Sequence, residues 1–206
     1  MKISYKQGKN NKVHIMIDGE YKMTVDRDFP LLATVHEGSE IDEDELAFLE
    51  EEVNVRRAFN KASELLSRRD HSEKELLIKL RQKGFAEGAQ AAIEKLRNYG
   101  YVNDERFAFS YASELQRLKR FGKCRIEQEL FKKGIDREIV SEVLDSLEFD
   151  ENELCELIIR KYYRNLETEK GVQKTINALL RAGYGFGEIK DALSQISENK
   201  GEFFDE

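Results

Sequence analysis

Seven basic residues, Arg117, Lys119, Arg120, Lys123, Arg125, Lys132 and Lys133, fall within seventeen positions that hold only two acidic ones, Glu127 and Glu129. The net charge of +5 makes this a local cationic surface, and its chemistry is the recognition of anions such as phosphate oxygens or carboxylates. Gly122 lies inside the run and reads as a helix start, where free backbone N–H groups and the helix dipole favour an anion. Arg68, Arg69 and Lys74 surround Ser72 in the same way, and Lys170 and Lys174 more weakly surround Gly171. Any one such run is more often a solvated helix face. Recurrence at matching positions points instead to twelve candidate contacts with a phosphate backbone or an acidic protein surface, and charge does not choose between those partners.

The elements that must position these residues repeat. Gly84, Gly134 and Gly183 are spaced by 50 and 49 residues, a period typical of tandem helical units. Four residues before each glycine stands Leu80, Leu130 or Leu179, eight before stands Leu76, Ile126 or Thr175, and twelve before stands Ser72, Gly122 or Gly171. That spacing is one buried stripe of a short helix with an N-cap at one end and a left-handed glycine at the other. Ser72 with Glu75 has the pattern of a capping box. Asn103 and Asp104 open a preceding helix whose stripe is Phe107, Ala108, Tyr111, Leu115 and Leu118, and which runs to about Arg120. Asp136 opens a following one with Ile139, Val140, Val143, Leu144 and Leu147. Leu144 and Leu147 recur as Leu193 and Ile196, and Leu96 matches Leu147 once an insertion is placed in the turn between Phe85 and Ala89.

Residues 1–30 follow a different pattern. Val13–Ile17 and Tyr21–Val25 are β-rich runs around Asp18-Gly19, a hairpin signal, and Lys2–Gln7 adds a strand before the turn at residues 8–11. Pro30 ends this small sheet, and an acidic helix begins near Ile41 and can run unbroken into the first repeat. The fold expected is mainly α: an elongated tandem array of three three-helix units, preceded by a small N-terminal β-hairpin or sheet and an acidic helix. The corresponding division is a β-rich segment at 1–40, a connecting helix at 41–54, repeats at 55–102, 103–149 and 150–198, and an acidic tail at 199–206. Residues 1–52 carry 6 basic and 13 acidic side chains, which accounts for the whole net charge of −7. That acidity could repel DNA, meet a basic partner surface or keep the chain in solution.

Composition excludes several classes. One proline, no tryptophan, 36% charged and 40% hydrophobic residues fit neither a disordered chain nor a membrane protein. The start, Met1-Lys2-Ile3-Ser4-Tyr5, has no apolar signal core, which places the protein in the cytoplasm, and Cys124 and Cys155 then read as reduced thiols. His14, His36 and His71 form no HxxxH or HExxH pair, Gly183–Gly187 follows a helix and lacks the lysine of a phosphate loop, and Cys124 has no partner histidine. No catalytic residue, metal or cofactor is expected. A helix-turn-helix protein reading base edges and a helical scaffold binding only protein remain as alternatives.

The segments Asn103–Tyr111, Arg120–Leu130 and Lys133-Gly134-Ile135 together resemble the central signature of the RecX family, and Leu65–Leu76 with Leu80 and Lys83-Gly84-Phe85 resembles the family's preceding unit. The resemblance spans roughly residues 55–196, and family members of the longer type also carry an N-terminal β-rich segment. It implies regulation of the recombinase RecA: binding in the groove of the filament on single-stranded DNA and restraint of its assembly, recombination, ATP hydrolysis and coprotease activity. RecA and single-stranded DNA are the implied partners, with double-stranded DNA as a further one and no membrane. A monomer is expected, since polar ends need no covering partner. Reversing Arg120, Lys123 and Arg125 to glutamate should then weaken binding while leaving the fold intact.

Overall fold

Three alternating apolar–polar segments near the N-terminus pair as antiparallel strands β1 (Ile3–Gln7), β2 (Lys12–Ile17) and β3 (Glu20–Asp26) in the order β1-β2-β3. Both hairpins turn through left-handed residues, Asn10-Asn11 in the four-residue connection between β1 and β2 and Asp18-Gly19 between β2 and β3, the latter being the backbone that two-residue hairpin turns require. In this computed structural model, which describes residues 1–198, the acidic tail expected at 199–206 lies outside the described residues. Ile3 opposes Ile17 and Ile15 opposes Met23, so one sheet face is apolar. It buries Ile3, Ile15, Ile17, Met23 and Val25 against Leu49 and Val53 of helix α1 (Glu43–Leu66). Pro30 begins a 3₁₀ turn, Pro30–Ala33, between sheet and helix.

Helix α1 starts in a full capping box: the Glu45 N–H donates to Asp42 at 2.8 Å and the Asp42 N–H donates to the Glu45 carboxylate at 3.0 Å. Three acidic residues in its first turn complement the dipole. It runs without a break across residues 54–55, so the connecting helix and the first helix of the first repeat are one element. Then follow α2 (Glu73–Gln82), α3 (Ala89–Asn98), α4 (Asp104–Lys119), α5 (Lys123–Lys133), α6 (Arg137–Ser146), α7 (Glu151–Tyr162), α8 (Glu169–Ala182) and α9 (Phe186–Glu198). The turn between α2 and α3 is the longest of its kind, six residues against three between α5 and α6 or α8 and α9, and it lies where the repeat spacing places the insertion.

The chain forms two compact bodies. The first takes Met1–Arg69 and Leu76–Tyr101, the second Asp70–Glu75 and the chain from Val102 onward. In the first, α1 packs on α3 through Val55, Ala58 and Ala92. In the second, α4, α5 and α6 enclose Phe107, Ala112, Leu115, Ile126, Leu130 and Val140, while α7, α8 and α9 enclose Leu154, Ile158, Leu179, Ile189 and Ile196. Repetition is visible residue by residue. Ala62, Leu65, Ser72, Leu76 and Leu80 are buried, and so are Ala112, Leu115, Gly122, Ile126 and Leu130 fifty positions later; Gly171, Thr175 and Leu179 continue the series. Thr175 occupies a leucine or isoleucine position because its hydroxyl donates to the Gly171 carbonyl at 3.1 Å.

Two expectations change. Leu118 is 61% exposed, because the buried stripe of α4 ends at Leu115 and its last turn extends past the neighbours that cover it. Helix α8 begins at Glu169, two residues before Gly171, since Thr168 is the N-cap and accepts the Gly171 N–H at 3.1 Å. Gly171 is required there for another reason: a Cβ would overlap the Asn165 carbonyl.

Candidate functional site

The cationic run divides between the two ends of α5, about 16 Å apart for eleven helical residues. At its N-terminal end, Gly122 N–H donates to the Ala182 carbonyl at 2.9 Å and Cys124 N–H to the Gly183 carbonyl at 3.2 Å. At its C-terminal end, the Ser72 hydroxyl donates to the Lys133 carbonyl at 2.7 Å and accepts the Glu75 N–H at 3.2 Å. The start of α2 is thus seated on the end of α5, and the start of α5 on the end of α8. In each junction the unsatisfied donors or capping group of one helix meet the unsatisfied carbonyls of the next, with opposite dipole ends together. The N–H groups expected to be free for an anion at Gly122 are therefore taken by carbonyls of the chain itself.

The side chains at these junctions are largely engaged. Arg120 ends α4 in the left-handed conformation, φ 53°, and pairs with Glu153 at 3.0 Å. Its carbonyl accepts the Tyr184 hydroxyl at 3.0 Å, and burial pushes that hydroxyl above the usual tyrosine range, which keeps it a donor. Lys123 meets Asp145 at 3.3 Å, and Arg125 meets Glu129 at 2.9 Å with its guanidinium 5.6 Å from the Phe121 ring centre. Lys133 is held by Glu75 at 3.2 Å and lies 5.4 Å from the Tyr111 ring, which itself stacks on the buried Phe107. Glu75 also meets the buried His71 at 3.0 Å. Lys74 lays its aliphatic stem along Gly134, and Lys132 pairs with Glu129 at 2.9 Å.

In the first body, Arg68 pairs with Glu64 at 2.9 Å; a hydrogen bond from Lys61 holds the Glu64 carboxyl below its ordinary range. Arg69 is exposed and engaged in a polar contact. Five of the twelve residues have no acidic partner among the described residues and are exposed: Lys74 in the first turn of α2, Arg117 and Lys119 on the last turn of α4, and Lys170 and Lys174 on α8. Arg117, Lys119, Arg120, Lys123 and Arg125 come together where α4 passes into α5, whereas Lys132, Lys133 and Lys74 lie at the other end of α5.

Sequence reasoning missed the acceptors. Glu129 is readable from its i,i+4 spacing to Arg125, but Glu153 and Asp145 are 33 and 22 residues from the cations they meet. Reversing Arg120, Lys123 and Arg125 together is consequently expected to destabilise the second body by about 2 kcal/mol, because three attractions become repulsions and a half-buried stacked guanidinium is removed. Urea denaturation checks this. An unchanged midpoint would show that the pairs contribute nothing to folding, and it would restore the triple variant as a clean binding probe.

Among the described residues no group of three His, Cys, Asp or Glu side chains is placed to hold a metal, and no helix is long and apolar enough to cross a membrane. Cys124 is exposed and Cys155 buried, and neither is in a disulfide.

Fold and site together define a class: a tandem three-helix protein with helix-to-helix junctions and a cationic surface at one of them. Comparison with known proteins narrows it. Residues 103–144 match the family description "RecX, second three-helix domain", and residues 58–96 match "RecX, first three-helix domain". The chain is 34% identical over 191 residues to the regulatory protein RecX of Caldanaerobacter subterraneus subsp. tengcongensis, covering 92% of this chain and 95% of that one. It is 32% identical to the regulatory protein RecX of Clostridium acetobutylicum over 96% of each. A crystal structure of regulatory protein RecX superposes with a TM-score of 0.68 at 23% identity, over 92% of this chain and 97% of the other. That of RecX from Lactobacillus salivarius gives 0.58 at 24% identity, over 70% and 97%. The chain belongs to the RecX family of regulatory proteins.

Proposed function

We propose that this protein binds the RecA filament on single-stranded DNA and restrains its assembly, recombination, ATP hydrolysis and coprotease activity, as a monomer with no catalytic step of its own. The observation that carries this reading is the last turn of α4, where Arg117 and Lys119, exposed and without acidic partners among the described residues, flank Leu118, 61% exposed. Two cations around an apolar side chain suit a mixed surface of protein and phosphate better than base edges, which need bidentate amide or guanidinium groups in register. Lys170 and Lys174 add exposed cations on α8. The remaining eight basic residues contribute through the surface field, and Lys133 with Glu75 also braces the junction of α2 with α5.

The test is ATP hydrolysis and filament growth by RecA on single-stranded DNA, with this protein titrated from substoichiometric to equimolar amounts. Inhibition well below one copy per recombinase is expected. Arg117→Glu with Lys119→Glu should raise the half-inhibiting concentration on the order of tenfold with the melting temperature unchanged, since both side chains are exposed and meet no carboxylate among the described residues. Failure of the wild-type chain to affect filaments at equimolar levels would overturn the reading.

A further inference from the structure

The N-terminal segment is acidic only on average. Residues 1–25 hold five lysines and two acidic residues, net +3, whereas residues 26–52 hold one arginine and eleven acidic residues, net −10. The positive part is the sheet. Its inner face is the apolar core against α1, and its outer face is built from the alternate positions, which the register places in two rows: Lys6, His14 and Thr24 in one, Ser4, Met16 and Tyr21 in the other.

This outer face forms a groove of about 690 Å³ whose lining includes Lys6, Lys9, Lys12, His14, Met16 and Tyr21 and no acidic side chain. Lys6 and Lys9 have no ion-pair partner among the described residues, and Lys12 meets Asp26 at 2.6 Å. The two rings are held in place before any ligand arrives. His14 Nδ1 lies 2.7 Å from the Thr24 hydroxyl, the Tyr21 hydroxyl lies 3.0 Å from that same oxygen, and the rings meet edge to face at 5.8 Å. Gly8 keeps the floor open, since a Cβ there would stand 2.8 Å from His14 Nε2. Tyr21 is 61% exposed in spite of this fixing.

We infer that the outer face of the β1-β2-β3 sheet is a binding site for single-stranded nucleic acid. Unpaired bases stack on Tyr21 beside His14, and the phosphates are met by Lys6, Lys9 and Lys12. Cations and oriented aromatic rings on one open sheet are the two components that sequence-independent single-strand binding needs: counterion release supplies salt-sensitive affinity, and stacking supplies a surface for any base. A duplex is disfavoured because its bases are already stacked and cannot reach the rings. An acidic peptide would meet the lysines but leave the rings without a partner. The site lies in the first body and is independent of the filament reading.

The experiment uses the full-length chain without RecA and a labelled oligothymidylate of about 15 nucleotides, followed by anisotropy. Single-strand binding tighter than duplex binding is expected. Lys6→Glu with Lys9→Glu should weaken it on the order of tenfold and reduce the salt slope by about 0.7 for each phosphate no longer neutralised. Tyr21→Ala should weaken it about fivefold or more with the slope unchanged. Because the chain has no tryptophan, Tyr21→Trp supplies a single indole fluorophore in the groove, and saturable quenching by the oligonucleotide is expected irrespective of the other variants' stability. Equal affinity for duplex, competition by polyglutamate as strong as by oligothymidylate, indole fluorescence that the oligonucleotide leaves unquenched in the Tyr21→Trp chain, or binding unaltered in both the lysine and tyrosine variants would each overturn the assignment.

Discussion

Leu130→Ala is expected to lower the stability of the second body by about 2–5 kcal/mol, the range for emptying a fully buried leucine site. Leu130 is 0% exposed and shares its cluster with Phe107, Ala108, Ile126, Ile135 and Val140, residues of α4, α5, α6 and the turn before α6. These neighbours are themselves close-packed apolar side chains, so the site can collapse only in part and little of the forfeited dispersion energy is recovered. Leu118→Ala provides the comparison. It removes the same atoms from a residue that also lies on a predicted buried stripe, that of α4, but from a 61% exposed position, and should change stability by no more than about 0.5 kcal/mol. Urea denaturation of both variants decides the matter, and equal losses would mean that Leu118 is covered in solution.

Gly122→Val should cost about 3 kcal/mol, near the top of the range for forcing atoms into a packed interface. The backbone is not the reason: φ −77° and ψ 169° suit any residue. The reason is closeness of approach, because a Cβ at Gly122 would stand 2.5 Å from both the carbonyl carbon and the oxygen of Gly183. Backbone can yield only by separating the two helix ends, which also breaks the Gly122-to-Ala182 hydrogen bond and withdraws the Tyr184 hydroxyl from Arg120. Gly187→Ala is the control, since a Cβ there meets nothing within 4 Å and the residue lies in the first turn of α9 with no positive φ. It should be neutral or stabilising by up to about 1 kcal/mol. A Gly122 variant as stable as the Gly187 variant would show that the α5–α8 junction is not formed in solution. Because the junction orients Arg120 and Lys123, its loss should also weaken any binding that depends on the α4–α5 surface.

What the amino-acid order determined by itself is what local periodicity encodes. The three glycines at 50- and 49-residue spacing, the leucines four residues before them and the Asp18-Gly19 turn act within one helix turn or one hairpin, so the three short helices, their ends and the sheet were legible without neighbours. The start of α8 was not, because Thr168 competes with Gly171 for the cap and only packing against Asn165 assigns the glycine its place. The positions of the twelve cations in the chain were equally legible, but not their availability. Charge counts do not reveal which lysine or arginine meets a carboxylate from another element, and Glu153, Asp145 and Glu75 reach theirs only through the fold. Averaging over residues 1–52 hid the cationic sheet face for a related reason: strand pairing gathers every second side chain onto one surface, while the compensating acids lie mostly beyond the sheet, in α1 and the segment leading to it. Tertiary structure decided these points because electrostatic partners and surface faces are set by distance in space, over which the interaction falls off steeply, and not by distance along the chain.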